Sequence, residues 1–234
     1  MIKKIKIYLY IIIITVLMIS LTGCEINSEE EKTIKNKTDE EIEYLENQII
    51  TIVNKYVKRE YENDGELVWE NINKDVFKIT NIMDTLMLDL SEYEISKEDM
   101  LTFRNEVNSL SLAVSNIDEY NLIEECSFLY SLLPSYLEKY SDDINKINIM
   151  KLKSLVLSSY VAASSNDWEG AQNAILLAET KYNEMSNDVE YMKEYSFNLN
   201  KIYILLQEVK NAIELNEIEL CRVKYLNFIE KIGY

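Results

Sequence analysis

Apolar residues recur at alternating spacings of three and four along most of the chain, which places them on one face of successive helices. Ile42, Leu45, Ile49, Ile52 and Tyr56 form the first stripe, opened by the capping box Thr38-x-x-Glu41 and closed by Asn63-Asp64-Gly65. Val68, Ile72, Val76, Ile79, Met83, Leu86 and Leu90 form a second, ending near Glu92. Ser96-x-x-Asp99 caps a third helix carrying Met100, Phe103, Val107, Leu110, Val114 and Ile117, with a turn at Asn116-Ile117-Asp118. A fourth runs through Ile123, Phe128, Tyr130 and Leu132; Pro134 lacks an N–H and predicts a kink or a fresh start there. Ser141-Asp142-Asp143 opens a fifth, with Ile144, Ile147, Leu152, Leu155 and Ala162. The turn Ser164-Ser165-Asn166-Asp167 leads into a sixth, with Trp168, Ala171, Ile175, Ala178, Tyr182 and Met185. Asn187-Asp188 starts a seventh, with Val189, Met192, Leu199, Leu206, Val209 and Ile213. Asn216-x-x-Glu219 caps an eighth, where Leu215 can staple onto Leu220 and Ile218, Cys221, Tyr225, Phe228, Ile229 and Ile232 face inward. The expected fold is all-α: about eight helices as four antiparallel αα-hairpins, in a helical bundle or a short solenoid.

The turns recur. Asn116, Asn166 and Asn216 are spaced by 50, each is followed within three residues by an acid, and Asn63 lies 53 before the first. In that register Trp168, Ala171, Ile175, Ala178 and Tyr182 align with Ile218, Cys221, Tyr225, Phe228 and Ile232. The placement of Trp69 and Trp168 suggests two related halves, 38–140 and 141–234. Leu155 to Ala178 resembles part of a tetratricopeptide repeat, with Ala171 and Ala178 at the two small second-helix positions and Asn166-Asp167-Trp168 at the turn. The later proline is missing, Ser159 replaces the first-helix glycine, and the period is 50 rather than 34, so the likeness is one of helical hairpins. The Asp167-Trp168-x-x-Ala171 turn also resembles a group of uncharacterised helical proteins of Gram-positive spore-formers, a likeness that implies no activity.

The first residues break the pattern. Lys3, Lys4 and Lys6 precede Ile7–Leu21, a 15-residue run without charge, short for a membrane span and suited to a signal-peptide core. Leu21-Thr22-Gly23-Cys24 follows at once. This segment resembles the lipobox of bacterial lipoprotein precursors. The resemblance implies a signal peptide over 1–23, cleavage before Cys24, a covalent diacylglycerol on its sulfur with acyl chains such as palmitate, and a body held at the extracytoplasmic face of a Gram-positive-type cell membrane. Residues 24–37 then read as an acidic flexible tether, spanning roughly 20 Å as a random coil, and 38–234 as the helical domain.

Composition narrows the chemistry. The chain has 24 basic and 41 acidic side chains; loss of Lys3, Lys4 and Lys6 with the leader leaves 21 against 41, a balance of −20. Such a surface disfavours nucleic acid, which is bound by neutralising phosphates with Lys and Arg. It also disfavours a body lying flat on anionic lipid. Four glycines and one proline are few for a fold with many tight turns. The chain has no histidine, which removes Ser-His-Asp and Cys-His catalysis and the usual zinc and iron sites. With Cys24 lipidated, Cys126 and Cys221 remain, each at a helical core position and each expected to be a free, small hydrophobe, the alternative being a bridge between them that an extracytoplasmic compartment would permit. Acid runs such as Glu29-Glu30-Glu31 and Asp39-Glu40-Glu41 read as tether and helix-start charges, not metal ligands.

Many of the 17 tyrosines, Tyr56, Tyr182 and Tyr225 among them, fall at core spacing. Trp69, near a helix start, is the one aromatic singled out as a binding anchor, with a staple across its hairpin as the competing role. The functional expectation is therefore a non-enzymatic, lipid-anchored protein that presents a helical surface to a protein partner, with no cofactor. An α-helical ligand receptor needs instead an apolar pocket of several hundred Å³. A carboxylate-dependent cell-wall glycan enzyme needs two acids about 5–10 Å apart in a cleft, one with a raised pKa.

Overall fold

A computed structural model describes residue 33 and residues 35–58, 67–93 and 95–233. The leader, the lipobox with Cys24, most of the expected tether and the Asn63-Asp64-Gly65 stop lie outside these residues. Among the described residues there are eight α-helices, one short 3-10 turn at Ser91–Tyr93 and no strand. The helices are α1 (35–58), α2 (Trp69–Leu90), α3 (Lys97–Ser115), α4 (Glu119–Tyr140), α5 (Ile144–Ser164), α6 (Trp168–Asn187), α7 (Val189–Glu214) and α8 (Ile218–Lys231). The fold is all-α, and residues 41–234 form one compact unit.

Within that unit successive helices from α2 to α8 pack side by side, and α5 additionally touches α7 and α8. Contacts of α5 with helices distant in sequence close the array into a bundle. α5 is buried on nearly every side, from Asn145 through Ile149, Leu152, Val156 and Tyr160 to Ala163. The stripes account for most of the core: Ile42, Leu45, Ile49 and Ile52 of α1, Ile72 to Leu90 of α2 and Phe103, Val107 and Leu110 of α3 are all buried. All ten residues of the register shared by α6 and α8 are buried in the core or packed against it.

One polar cluster interrupts this core. Tyr130 of α4 donates to Glu46 Oε1 of α1 at 2.6 Å, and Lys153 of α5 reaches the same oxygen at 3.2 Å. Glu46 is 2 % exposed, Lys153 8 % and Tyr130 0 %. Tyr160 of α5 stacks on Tyr225 of α8, with ring centroids 4.8 Å apart. Burial and the Glu46 charge push the Tyr130 hydroxyl well above its ordinary pKa, and burial does the same for Tyr225.

Three hairpin turns share one hydrogen-bond pattern. Ile117, Asn166 and Asn216 take left-handed conformations, with φ of 57°, 61° and 53°. Their N–H groups donate to the carbonyls of Val114, Ala163 and Ile213 at 3.0–3.1 Å. The next N–H groups, of Asp118, Asp167 and Glu217, donate to Ala113 at 2.9 Å, Ala162 at 2.9 Å and Ala212 at 3.4 Å. These two bonds make a Schellman closure, repeated at α3–α4, α5–α6 and α7–α8. Asp118 and Asp167 then cap the following helix through Asn121 N and Gly170 N.

Several expectations are corrected. The repeat equivalent in the first turn is Ile117, not Asn116, so the spacing is 49 and then 50. Asn216 closes α7 and does not cap α8, whose N-cap Glu217 makes no side-chain cap bond. Leu215 stays exposed and makes no staple. Helix is already present at 35, so Thr38 lies inside α1 and residues 35–37 leave the expected tether. No Gly or Pro stands there to stop it, and extending a formed helix adds one hydrogen bond per residue. α4 runs on through Pro134, which is buried among Leu133, Tyr136 and Leu137. Packing there outweighs the missing bond. Val68 is 59 % exposed, since α2 begins only at Trp69. Val189 and Met192 are exposed because Tyr195 interrupts α7 with φ −116° and ψ 18°, which shifts the phase of the residues before it.

Candidate functional site

α4 and α5 meet through small side chains. Ser127 and Ser131 are one turn apart on α4, and Ser158, Ala162 and Ser165 face them from α5. Ser127 Oγ and Ser158 Oγ lie 3.2 Å apart at the floor. Short side chains at this crossing leave a groove of about 510 Å³. Its walls are Glu106 of α3, Tyr120, Glu124, Glu125 and Phe128 of α4, and Asp167 at the α5–α6 turn. No Lys or Arg lines it.

Each wall residue is placed by its element. Glu106 precedes buried Val107 and Glu125 precedes buried Cys126, so both carboxyl groups sit at the edges of inward faces and are half-buried. Both side chains line the groove. Burial, then the hydrogen bond to Glu106 and the charges of Glu106 and Glu124, push Glu125 up to about 7. Tyr120 donates to Glu124 Oε1 at 3.1 Å. Asp167 is fixed by its capping bond, which needs Gly170: a Cβ there would stand 2.2 Å from Asp167 Oδ2. The two aromatic rings stay open to solvent, Phe128 at 48 % and Tyr120 at 52 % exposure.

This arrangement gathers four carboxyl groups beside two exposed aromatic rings. It is open and polar, unlike the enclosed apolar sites of small-molecule receptors. A smaller hollow of about 270 Å³ lies between α2 and α3, lined by Met87, Lys97, Met100, Leu101 and Arg104. Among the described residues no three His, Cys, Asp or Glu side chains gather to hold a metal ion, and no helix is long and apolar enough to cross a membrane.

The residues singled out from the sequence do not build this groove. Cys24 lies outside the described residues. Trp69 is half-buried against the core at the start of α2. Cys126 and Cys221 are free and buried, and burial pushes the Cys221 thiol up to about 11. Glu106 and Glu125 are 19 positions apart on neighbouring helices, and no sequence motif joins them. The available signal was the run of serines at helical spacing on both α4 and α5, where a core helix would carry larger side chains. Searches against protein families, curated proteins and solved structures find no match to the chain.

Proposed function

We propose that this chain is an extracytoplasmic lipoprotein, anchored through a diacylglycerol on Cys24, whose helical body binds a protein partner and performs no catalysis. The groove between α3, α4 and α5 is its recognition element. The observation that carries the reading is the open groove itself, where Glu106, Glu124, Glu125 and Asp167 gather beside two exposed rings. Costly features of this kind, half-buried like charges and solvent-exposed aromatics, are concentrated where proteins bind. The lipobox supplies the location and the acidic surface keeps the body off anionic lipid.

The test is brief crosslinking in cells, followed by affinity capture of the full chain from solubilised membranes, beside Cys24→Ala and Glu106→Gln/Glu125→Gln. The reading expects the same partner with the wild type, depleted in both variants, and a soluble pool for Cys24→Ala. Recovery of that partner undiminished with the glutamine pair would sink the groove as its site.

A further inference from the structure

We infer that the outer face of the α2–α3 hairpin docks an amphipathic helix of a protein partner, one that carries two acidic side chains seven positions apart with an apolar side chain between them. This surface shares no lining residue with the α3–α4–α5 groove, and the inference stands without it.

The hairpin leaves an apolar face uncovered. Phe77 and Leu88 of α2 are eleven positions apart, close to three full turns, so they lie on one line of the helix. Leu101 and Leu112 of α3 are spaced in the same way. Each of the four is at least 57 % exposed. Arg104 pairs with Asp84 across the hairpin at 3.6 Å, which fixes the register of the two antiparallel helices. Counting from that pair, Leu88 is level with Leu101 and Phe77 with Leu112. Large apolar side chains grouped in this way on an exposed surface mark a site of interaction.

The hollow of about 270 Å³ opens between the same two helices. Met87, Met100 and Leu101 give it apolar walls, and Lys97 and Arg104 complete the lining. Its volume is below the about 300–1,000 Å³ of small-molecule sites and suits one inserted side chain. The flexible methionines can adapt to that side chain.

Charge complementarity states what the rest of the occupant carries. No acid lines the hollow, although the chain as a whole has a formal charge of −17. Lys97 has no ion partner among the described residues, and Arg104 holds Asp84 only through an exposed contact. The two cations are seven positions apart on α3, about 10.5 Å along one face. A helix lying along α3 meets both with acids at i and i+7, and its residue at i+3 or i+4 then points into the hollow. Lipid is less suited: Asp84 and Glu98, exposed beside these cations, repel anionic headgroups. A second copy is disfavoured by the repulsion between two acidic chains.

The experiment uses the full chain in detergent micelles and a dye-labelled alanine-based peptide of about twenty residues, long enough to hold a helix. Two Glu stand seven positions apart in it, with Leu at the third and fourth positions after the first Glu. A second peptide has Lys in place of both Glu. A third moves one Glu by two positions, which takes it off the shared face. Fluorescence anisotropy should show binding of the first peptide and affinities roughly tenfold weaker for the other two. Leu101→Ser should weaken the first peptide about tenfold, and Lys97→Glu/Arg104→Glu should reverse the preference in favour of the Lys peptide. These substitutions alter exposed side chains, and circular dichroism checks that each variant keeps its helix content. Lys139→Glu/Lys193→Glu, the same charge change at exposed positions on α4 and α7, should leave the preference as it was.

Equal effects of the two double variants would reduce the binding to bulk charge and overturn the inference, as would absence of binding by the first peptide. Equal affinity for the first and third peptides would overturn the spacing. Displacement of the peptide by phosphatidylglycerol added to the micelles, in the wild type and not in Leu101→Ser, would assign the face to lipid instead. A concentration-dependent dimer that Leu101→Ser dissolves would assign it to a second copy of the chain.

Discussion

Glu46 and Lys153 offer the sharpest test of how this fold is held. Both are buried, they meet at 3.2 Å, and Glu46 also accepts the Tyr130 hydroxyl. Glu46→Met would take the carboxylate from both groups. Breaking a buried pair from one side costs about 3–5 kcal/mol, because the remaining charge is desolvated without that partner. Lys153→Met should cost a similar amount from the other side, since Glu46 would lose the Lys153 ammonium. Tyr130→Phe removes a single hydrogen bond to a charged group and should cost about 1.5–3 kcal/mol. Replacing both charges, as Glu46→Met/Lys153→Met, removes the desolvation problem and should recover most of the loss or exceed the wild type by about 1–4 kcal/mol. Against a whole-domain stability of about 5–15 kcal/mol these differences are large. Urea unfolding of each variant, followed by circular dichroism, gives the four corners of a double-mutant cycle. The reasoning is refuted if each single variant costs less than about 1 kcal/mol, or if the double variant costs the sum of the two.

Three further outcomes follow from features of the fold. Ile117 holds a left-handed conformation that costs a β-branched residue about 1–2 kcal/mol, and it is 63 % exposed, so little packing offsets the strain. Ile117→Asn should raise the urea midpoint by about 1 kcal/mol of stability, and Asn216→Ile should lower it by a similar amount; the same sign for both would contradict the shared turn geometry. Glu125 has a folded pKa above its ordinary value, so its contribution is complete below about pH 4.5 and lost as pH rises to about 7. Glu125→Gln should therefore flatten the pH dependence of stability in that window and gain on the order of 1–2 kcal/mol near pH 8, after discounting for solvent screening. Asp75 behaves oppositely: burial pushes its carboxyl up, but Lys55 and Lys78 outweigh this and hold it below the usual range. Its stabilisation is present above the ordinary carboxyl range and lost as pH falls through it, and Asp75→Asn should remove that acid-limb loss from the unfolding profile.

The helices were legible because burial is periodic. Phe103, Val107 and Leu110 could be assigned to a core from spacing alone, and Ser96 and Asp188 could be read as caps from side-chain chemistry. Errors fell where two rules compete. Asn216 suits both a cap and a left-handed position, and the backbone chose the second. Val189 and Met192 obeyed a period that Tyr195 breaks, and no local signal marks that break. Glu46 was invisible for another reason: it lies beside Leu45 on the inward edge of α1, and its buried role exists only because Lys153 arrives from a distant helix. The groove is a similar case, being defined by what is too small at an interhelix crossing.

The pairing of Glu46 with Lys153 also sets a clock. The two residues are 107 positions apart, so a chain that emerges N-terminus first, from a ribosome or from a membrane channel, presents α1 well before α5. For that interval α1 carries Ile42, Leu45, Ile49 and Ile52 with no α5 to cover them. A carboxylate beside that stripe discourages the waiting helix from associating with another like itself. The charge that must be matched at the end of folding is thus the one that keeps the nascent chain apart at its beginning.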